Sequence, residues 1–534
     1  MTGTWISILP PLVAIVLALA FRQVLIALFA GLWLGAFFVN GGDLAAAWTG
    51  LLDTFAVYLR DALADADHAA IILFSLMIGG MVGIISRNGG MLGVVDRITR
   101  WASTPRRGQL ATTGLGVGIF FDDYANTLIV GNTMRAVTDR LRVSREKLAY
   151  LVDSTAAPIA AVALVTTWIG MQVGLIGEAV GRIDGYDESA YSIFLNSLAY
   201  SFYPLLALAF VVMVAWSGRD FGPMLAAERH AREHGVGTAT GARNMRLANE
   251  LEALMPDAGT ARRARNAVVP IAVLVIATLG GLWVTGRADA GADAPLREVI
   301  GSADSYRSLL WGSLLGVVTA LVMTAAQRLM PLEDALDAWL AGIKSVLPAM
   351  LILMLAWALS AVSEQLGTAA FLTSALGDTI SPTVLPTLVF VMAAVTAFST
   401  GTSWGTMGIL MPLVVPLAWA VLGADGITGD AADLQVLYAS VAAVLAGAVW
   451  GDHCSPLSDT TILSSMASGC DHIAHVRTQL PYALLVGGAA IVLGLLPVGL
   501  GVPWWICLPV AMIVLAISLR LFGHKADGEA SFGH

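Results

Sequence analysis

Eleven apolar runs, near residues 5–21, 24–39, 68–86, 148–170, 190–215, 266–285, 306–327, 346–365, 436–468, 481–500 and 503–520, limit what this chain can become. A transmembrane helix needs about 20 mostly apolar residues. Only 13% of the chain is Asp, Glu, Lys or Arg, against about 25% in soluble domains. With 57% hydrophobic residues, neither a soluble enzyme nor a disordered chain fits. A net charge of −9, with no basic stripe, excludes a nucleic-acid binder. The three cysteines, Cys454, Cys470 and Cys507, are odd in number and lie in apolar settings, which argues against a disulfide framework. Arg22 follows the first apolar run instead of preceding it, so residues 5–21 read as a retained first span rather than a cleaved signal.

Orientation follows from lysine and arginine in short loops, which stay on the cytoplasmic side. Arg22 places the first turn inside, and the acidic stretch 40–67 lies outside. Segment 108–134 has basic flanks on both sides, Arg97–Arg107 before it and Arg135–Lys147 after it. It therefore enters and leaves on the cytoplasmic face. Non-helical backbone survives at membrane depth only where it is buried in protein or lines a cavity, so 108–134 reads as a re-entrant hairpin. Residues 171–189 return outside, the polar linker 218–265 lies inside, and 287–305 lies outside. No Lys or Arg occurs between Lys344 and Arg477, and Asp378, Asp425, Asp430 and Asp433 flank 383–420. That segment reads as a second hairpin, opening from outside. The amphipathic stretches 91–104 and 331–345 are expected along the cytoplasmic interface.

The two halves carry the same elements in the same order. FFDDYANT (120–127) corresponds to AFSTGTSW (397–404), and LVDSTAAP (151–158) to WGDHCSP (450–456). Opposite orientation of the halves makes an inverted-topology repeat, the plan of many secondary transporters. The expected fold is an all-α polytopic membrane protein with about eleven transmembrane helices, two opposed re-entrant hairpins and broken helices near 153–158 and 451–460. The N-terminus is expected outside and the C-terminal tail inside the cell (inner) membrane.

Three constellations can carry chemistry. The first is Asp122, Asp123, Asn126 and Thr127 at the first hairpin tip. A charge at the bilayer centre costs roughly 2.5–3.5 kcal/mol on insertion scales, whereas carboxylate, amide and hydroxyl oxygens suit a small hard cation. One of the two acids alone would be explained as a helix cap. The second is Ser399, Thr400, Thr402 and Ser403, with Gly401 and Gly405 allowing close backbone approach. The third joins Asp153, Ser154 and Thr155 to Asp452, His453, Ser455, Ser458 and Asp459, each group beside a proline inside an apolar span. His453 either takes part in proton coupling or is simply satisfied by a neighbour. Zinc lacks a motif: there is no CxxC or HExxH, and His472 and His475 read as part of a polar cytoplasmic turn. Sodium, bound through Asp122, Asp153 and Asp452, is the expected metal, as transported ion and not as resident cofactor; no cofactor is expected.

The segments GIFFDDYANTLIVGNTMR, STGTSWGTMGILMPL and WGDHCSPLSDTTILSS resemble the NhaC family of sodium/proton antiporters, and the resemblance runs from about residue 5 to about residue 500. That family is similar to the ion transporter superfamily, whose dicarboxylate/sodium symporters have two opposed hairpins and elevator-type motion. The resemblance implies scaffold halves at 1–104 and 266–380 and transport halves at 105–217 and 381–500. It leaves 501–534 as an extra helix and tail. It also implies a homodimer in the lipid bilayer.

The expected function is sodium/proton antiport, in which sodium and protons compete for the same buried acids. The alternative is sodium- or proton-coupled transport or exchange of a small organic acid or amino acid, since some relatives with these motifs resemble malate/lactate exchangers. Neither hairpin tip carries an arginine to pair with such a carboxylate. A membrane-embedded enzyme would have only His453 with Ser455 to offer, and the duplicated hairpins would go unexplained.

Overall fold

The computed structural model describes residues 4–21, 23–181, 183, 186, 188–236, 256, 260–291, 299, 302–368, 371, 381–424, 434–456 and 458–526. Asp378, Asp425, Asp430, Asp433, most of the linker beyond residue 236 and the tail beyond residue 526 fall outside this set.

Regular structure among the described residues is helical apart from one two-stranded ribbon. The first half contains α1 (Leu9–Phe21), α2 (Val24–Val39), α3 (Leu44–Asp53), α4 (Arg60–Ala64), α5 (Ala66–Arg87) and α6 (Gly90–Thr99). It continues with α7 (Pro105–Gly118), α8 (Asp123–Arg140), α9 (Arg145–Asp153), α10 (Ala157–Val162), α11 (Thr167–Val180), α12 (Ala190–Leu198) and α13 (Phe202–Ser217). Strand β1 (Arg219–Asp220) and α14 (Gly222–His234) open the linker. The second half contains α15 (Arg265–Ala290), α16 (Ser305–Ala326), α17 (Leu332–Gln365), α18 (Leu385–Thr400), α19 (Ser403–Ala424), α20 (Gln435–Cys454) and α21 (Asp459–Ser468). Helices α22 (His472–Ala489), α23 (Leu496–Gly499) and α24 (Trp504–Phe522) follow, and β2 (His524–Lys525) pairs antiparallel with β1.

Both expected hairpins are helix–turn–helix units, α7–α8 and α18–α19. Thr104 caps α7 by accepting from the Arg107 N–H, with Pro105 in the first turn. Gly401 ends α18 at φ 70°, a left-handed conformation that favours glycine. The helix break at 455–458 lies where the sequence places it, between α20 and α21, and Ser458 caps α21.

Several boundaries differ from the sequence reading, and local chemistry explains them. The run 148–170 is three helices, because Thr166 caps a new start at α11. Helix α11 then runs to Val180, so much of 171–189 is buried helix and not an outer loop. The run 190–215 bends by 45° between α12 and α13. The stretch 331–345 does not lie along the interface as a separate helix; it is the start of the 34-residue α17. His472 and His475 are not in a turn: Asp471 accepts from the Ala474 N–H and starts α22 there, extending the span predicted from residue 481. Eight described helices are long and apolar enough to cross a membrane, or up to ten if each bent pair is one span. Helices α1, α2 and α18 are apolar but shorter.

Helix packing is dense in two regions, which also touch each other through α5–α11 and α17–α19. Helices α1 and α2 pack with α17, and α5 packs with α16 and α17, while α15 pairs with α16. Around α9 and α20 the halves interlock: α21 packs on α8 and α9 of the first half, and α11 packs on α19 of the second. The hairpin of each half thus rests on the continuation of the other half's broken helix.

Candidate functional site

The interlocked helices bring both hairpin tips and both helix breaks together. At the first tip, Asp122, Asp123, Asn126 and Thr127 are all buried. The tip is tied down by its own backbone, since the Thr167 N–H donates to the Phe121 carbonyl (2.9 Å). Asn126 Nδ2 donates to the carbonyls of Gly116 (2.6 Å), Ile119 (3.3 Å) and Thr155 (2.7 Å). The last of these is a carbonyl freed where α9 gives way to α10. At the second tip, Ser455 Oγ donates to the Phe398 carbonyl (2.6 Å), fastening α18 to the break after α20.

Asp153 ends α9 and is surrounded by donors from the second half. Gln479 Nε2 lies 2.6 Å from its Oδ2, Thr461 Oγ1 lies 3.4 Å from the same oxygen, and Ser464 Oγ lies 3.3 Å from Oδ1. The rings of His475 and His453 approach the carboxylate to 3.4 and 3.8 Å. His453 is held from both sides, with Nε2 3.2 Å from Ser154 Oγ and Nδ1 2.6 Å from Tyr203 Oη. Asp452 Oδ2 accepts from Ser403 and Thr460, both at 3.4 Å.

Five buried oxygens in this region have no hydrogen-bond donor among the described residues: Asp123 Oδ1, Asn126 Oδ1, Thr127 Oγ1, Asp452 Oδ1 and Gln479 Oε1. A cavity of about 50 Å³ has one of these residues, Asp123, in its lining, with room for a few waters or a partly hydrated ion. Asp122, Asp123, Thr402 and Asp459 line it from the hairpins and α21, and Ser345, Val346, Pro348 and Ile352 line it from α17. No lysine or arginine is among its lining residues. Asp459 keeps exposed surface because it faces this space.

Other predicted residues take humbler places. The hydroxyls of Thr155 and Thr400 bond back to helix carbonyls of Leu151 and Thr396 (both 2.8 Å), and that of Ser458 caps a helix. Ser399 is half-buried. Asp122, Asp153 and Asp452 do not form one cage, since no three His, Cys, Asp or Glu among the described residues converge on a metal-sized point. Sequence reasoning missed Gln479, His475, Tyr203, Thr461 and Ser464. The polar pair His475 and Gln479, four residues apart on one helical face of a mostly apolar helix, was the available signal.

The fold is that of an all-α polytopic membrane protein with a buried polar site between its two halves, and the comparisons with known proteins make it a secondary transporter. The chain belongs to the Na+/H+ antiporter family, whose family model matches residues 159–500. An uncharacterized protein of Haemophilus influenzae is 32% identical over 97% of this chain and 96% of its own length. A second protein of that organism, named as an uncharacterized Na+/H+ antiporter, is 44% identical over 85 residues, 15% of this chain and 18% of that protein. Among solved structures, the YdaH transporter of Alcanivorax borkumensis matches with a TM-score of 0.59 at 15% identity, over 92% of this chain and 99% of that chain. MtrF of Neisseria gonorrhoeae, from a class of antimetabolite efflux pumps, matches with a TM-score of 0.51 at 11% identity, over 88% of this chain and 84% of that chain. At these identities the two structures share the fold.

Proposed function

We propose that the protein exchanges sodium for protons at the meeting point of its hairpin tips and helix breaks. The observation that carries this reading is a small cavity lined by Asp122, Asp123 and Asp459 with no cationic side chain, where Asp123 carries a buried oxygen without a donor among the described residues. Hard oxygen ligands with carboxylate charge favour a small cation. They also accept protons when the cation leaves, so one set of acids serves both ions. Asp122, Asp123 and Asp452 supply charge; Asn126, Thr127 and Thr402 supply neutral oxygens; His453 and Ser154 link the breaks.

Elevator-type alternating access fits the placement of the cavity, with one wall from the interlocked helices and the other from α17 of the scaffold group. On this reading residues 105–217 and 381–500 move, and 1–104 with 266–380 stay fixed as the dimer-forming part. The positive-inside pattern supports a cell-membrane location with the N-terminus outside.

The test is purified protein in liposomes containing a trapped pH dye, under an imposed sodium gradient with no organic substrate. Proton movement that needs sodium and is absent with potassium supports the reading. Silence there, with sodium-dependent uptake of a small carboxylate or amino acid, transfers the site to the organic cargo.

A further inference from the structure

We propose that Gln479 is the pin that joins the two helix breaks, a positioning residue that makes both halves of the site move as one. It lies on α22, a helix outside both hairpins and both broken spans, and is fully buried. Its Nε2 donates to Asp153 Oδ2 at 2.6 Å and to the His453 carbonyl at 2.7 Å. Asp153 ends α9 in the first half; His453 is the penultimate residue of α20 in the second. The last carbonyls of a helix have no intrahelical donor, so a side-chain amide is a fitting partner there. The amide orientation is fixed, because turning it round would set Oε1 against two acceptors. One NH2 group thus commits one hydrogen to each half, and the remaining oxygen is an acceptor only. His475, one turn earlier on the same face, approaches Asp153 Oδ2 to 3.4 Å and closes the other side. A break that shifts without its counterpart must abandon one of these two bonds while buried, a costly state.

The experiment is hydrogen exchange read by mass spectrometry on the full chain in lipid nanodiscs, comparing the wild type with Gln479→Met. Methionine fills similar space and donates nothing. Peptides covering 150–158 and 451–460 are expected to lose protection together, by at least tenfold in rate, while 72–86 and 338–358 stay unchanged. In sodium-driven proton movement, the half-saturating sodium concentration is expected to rise tenfold or more, with a smaller change in maximal rate. Gln479→Asn covers the case in which Met prevents folding. Its shorter side chain reaches one acceptor but not both, so one break stays protected and the other does not. Loss at neither break or at one break with Met, or full protection at both with Asn, overturns the pin. The exchange readout does not depend on the cargo: loss at both breaks in a protein that moves no proton with sodium would leave the pin standing and overturn the antiport reading.

Discussion

The side-chain amide of Asn126 lies 2.7 Å from the carbonyl oxygen of Thr155, tying the tip of the first hairpin to the break in the helix that follows it. The same NH2 group also serves Gly116. Asn126→Ala removes the donor from buried carbonyls, and an unsatisfied buried group costs about 1–3 kcal/mol. Asn126→Asp replaces a donor by an acceptor facing other acceptors and is expected to be worse. Thermal unfolding should rank wild type above Ala above Asp. Sodium-driven proton movement should fall at least tenfold in both variants; an Asp variant as active as wild type would show that the tie is dispensable.

Asp452 and Asp153 are both buried acids at a break, yet their surroundings predict different responses to amidation. Asp452 Oδ1 has no donor and Oδ2 has two long contacts of 3.4 Å. Asp153 holds the Gln479 amide at 2.6 Å and two hydroxyls. Asp452→Asn should abolish sodium-dependent proton movement with little change in unfolding temperature. Asp153→Asn should lose activity and stability together, since hydrogen bonds to a charged group contribute about 1.5–3 kcal/mol. Unchanged transport in both variants would remove these acids from the mechanism.

The helical plan, the two hairpins and the break after Cys454 were legible because each leaves a mark in the order of residues. Asp122–Asp123 between apolar arms, and Pro456 inside an apolar span, interrupt a pattern that otherwise continues. The bend between α12 and α13 leaves no such mark, since NSLAYSFYP contains no glycine and its one proline follows the bend. Gln479 and His475 were hidden for a different reason. Their partner Asp153 is more than 300 residues away in sequence, and nothing local tells a buried polar face from one that meets water. Asp471, with its polar neighbours, resembled a loop, whereas it is the cap that begins α22.

Gly451 sets how closely the second hairpin approaches the helix that carries Asp452. A Cβ there would lie 2.1 Å from the Ala394 carbonyl oxygen, which is backbone and cannot rotate away. Gly451→Ala must push α18 and α20 apart. Overpacking of this kind costs typically about 1–3 kcal/mol. The displacement also reaches Asp452 directly. A lowered unfolding temperature is expected, with a several-fold rise in half-saturating sodium; an alanine variant that matches wild type in both would mean that this contact does not position the site.

The start of the linker, β1 and α14, is locked to the site-bearing helices by buried charge. Lys147 on α9 pairs with Asp220 on β1, and Tyr482 Oη on α22 donates to the same carboxylate at 2.5 Å. Glu228 on α14, also fully buried, accepts from the Ser144 N–H at 2.7 Å and approaches Arg232 to 3.4 Å. Burial and the nearby Asp220 push the Glu228 carboxyl above its ordinary value, against the opposing pull of Lys147 and Arg232. The folded state therefore holds this proton more tightly than the unfolded chain does. The stabilisation is fully present below the unfolded value and is lost as pH rises through the folded one. Glu228→Gln has no such proton to lose. Relative to wild type, the variant should gain thermal stability as pH is raised from 4 toward 7, by about 1.4 kcal/mol for each unit by which the carboxyl is raised. Lys147→Met, in contrast, leaves Asp220 buried without its partner, and breaking a buried pair costs about 3–5 kcal/mol. Unfolding temperatures of the three proteins between pH 4 and 8 decide both points, and a Glu228→Gln gap that is flat or narrows in the opposite direction would show that the buried carboxylate is fully compensated by its neighbours.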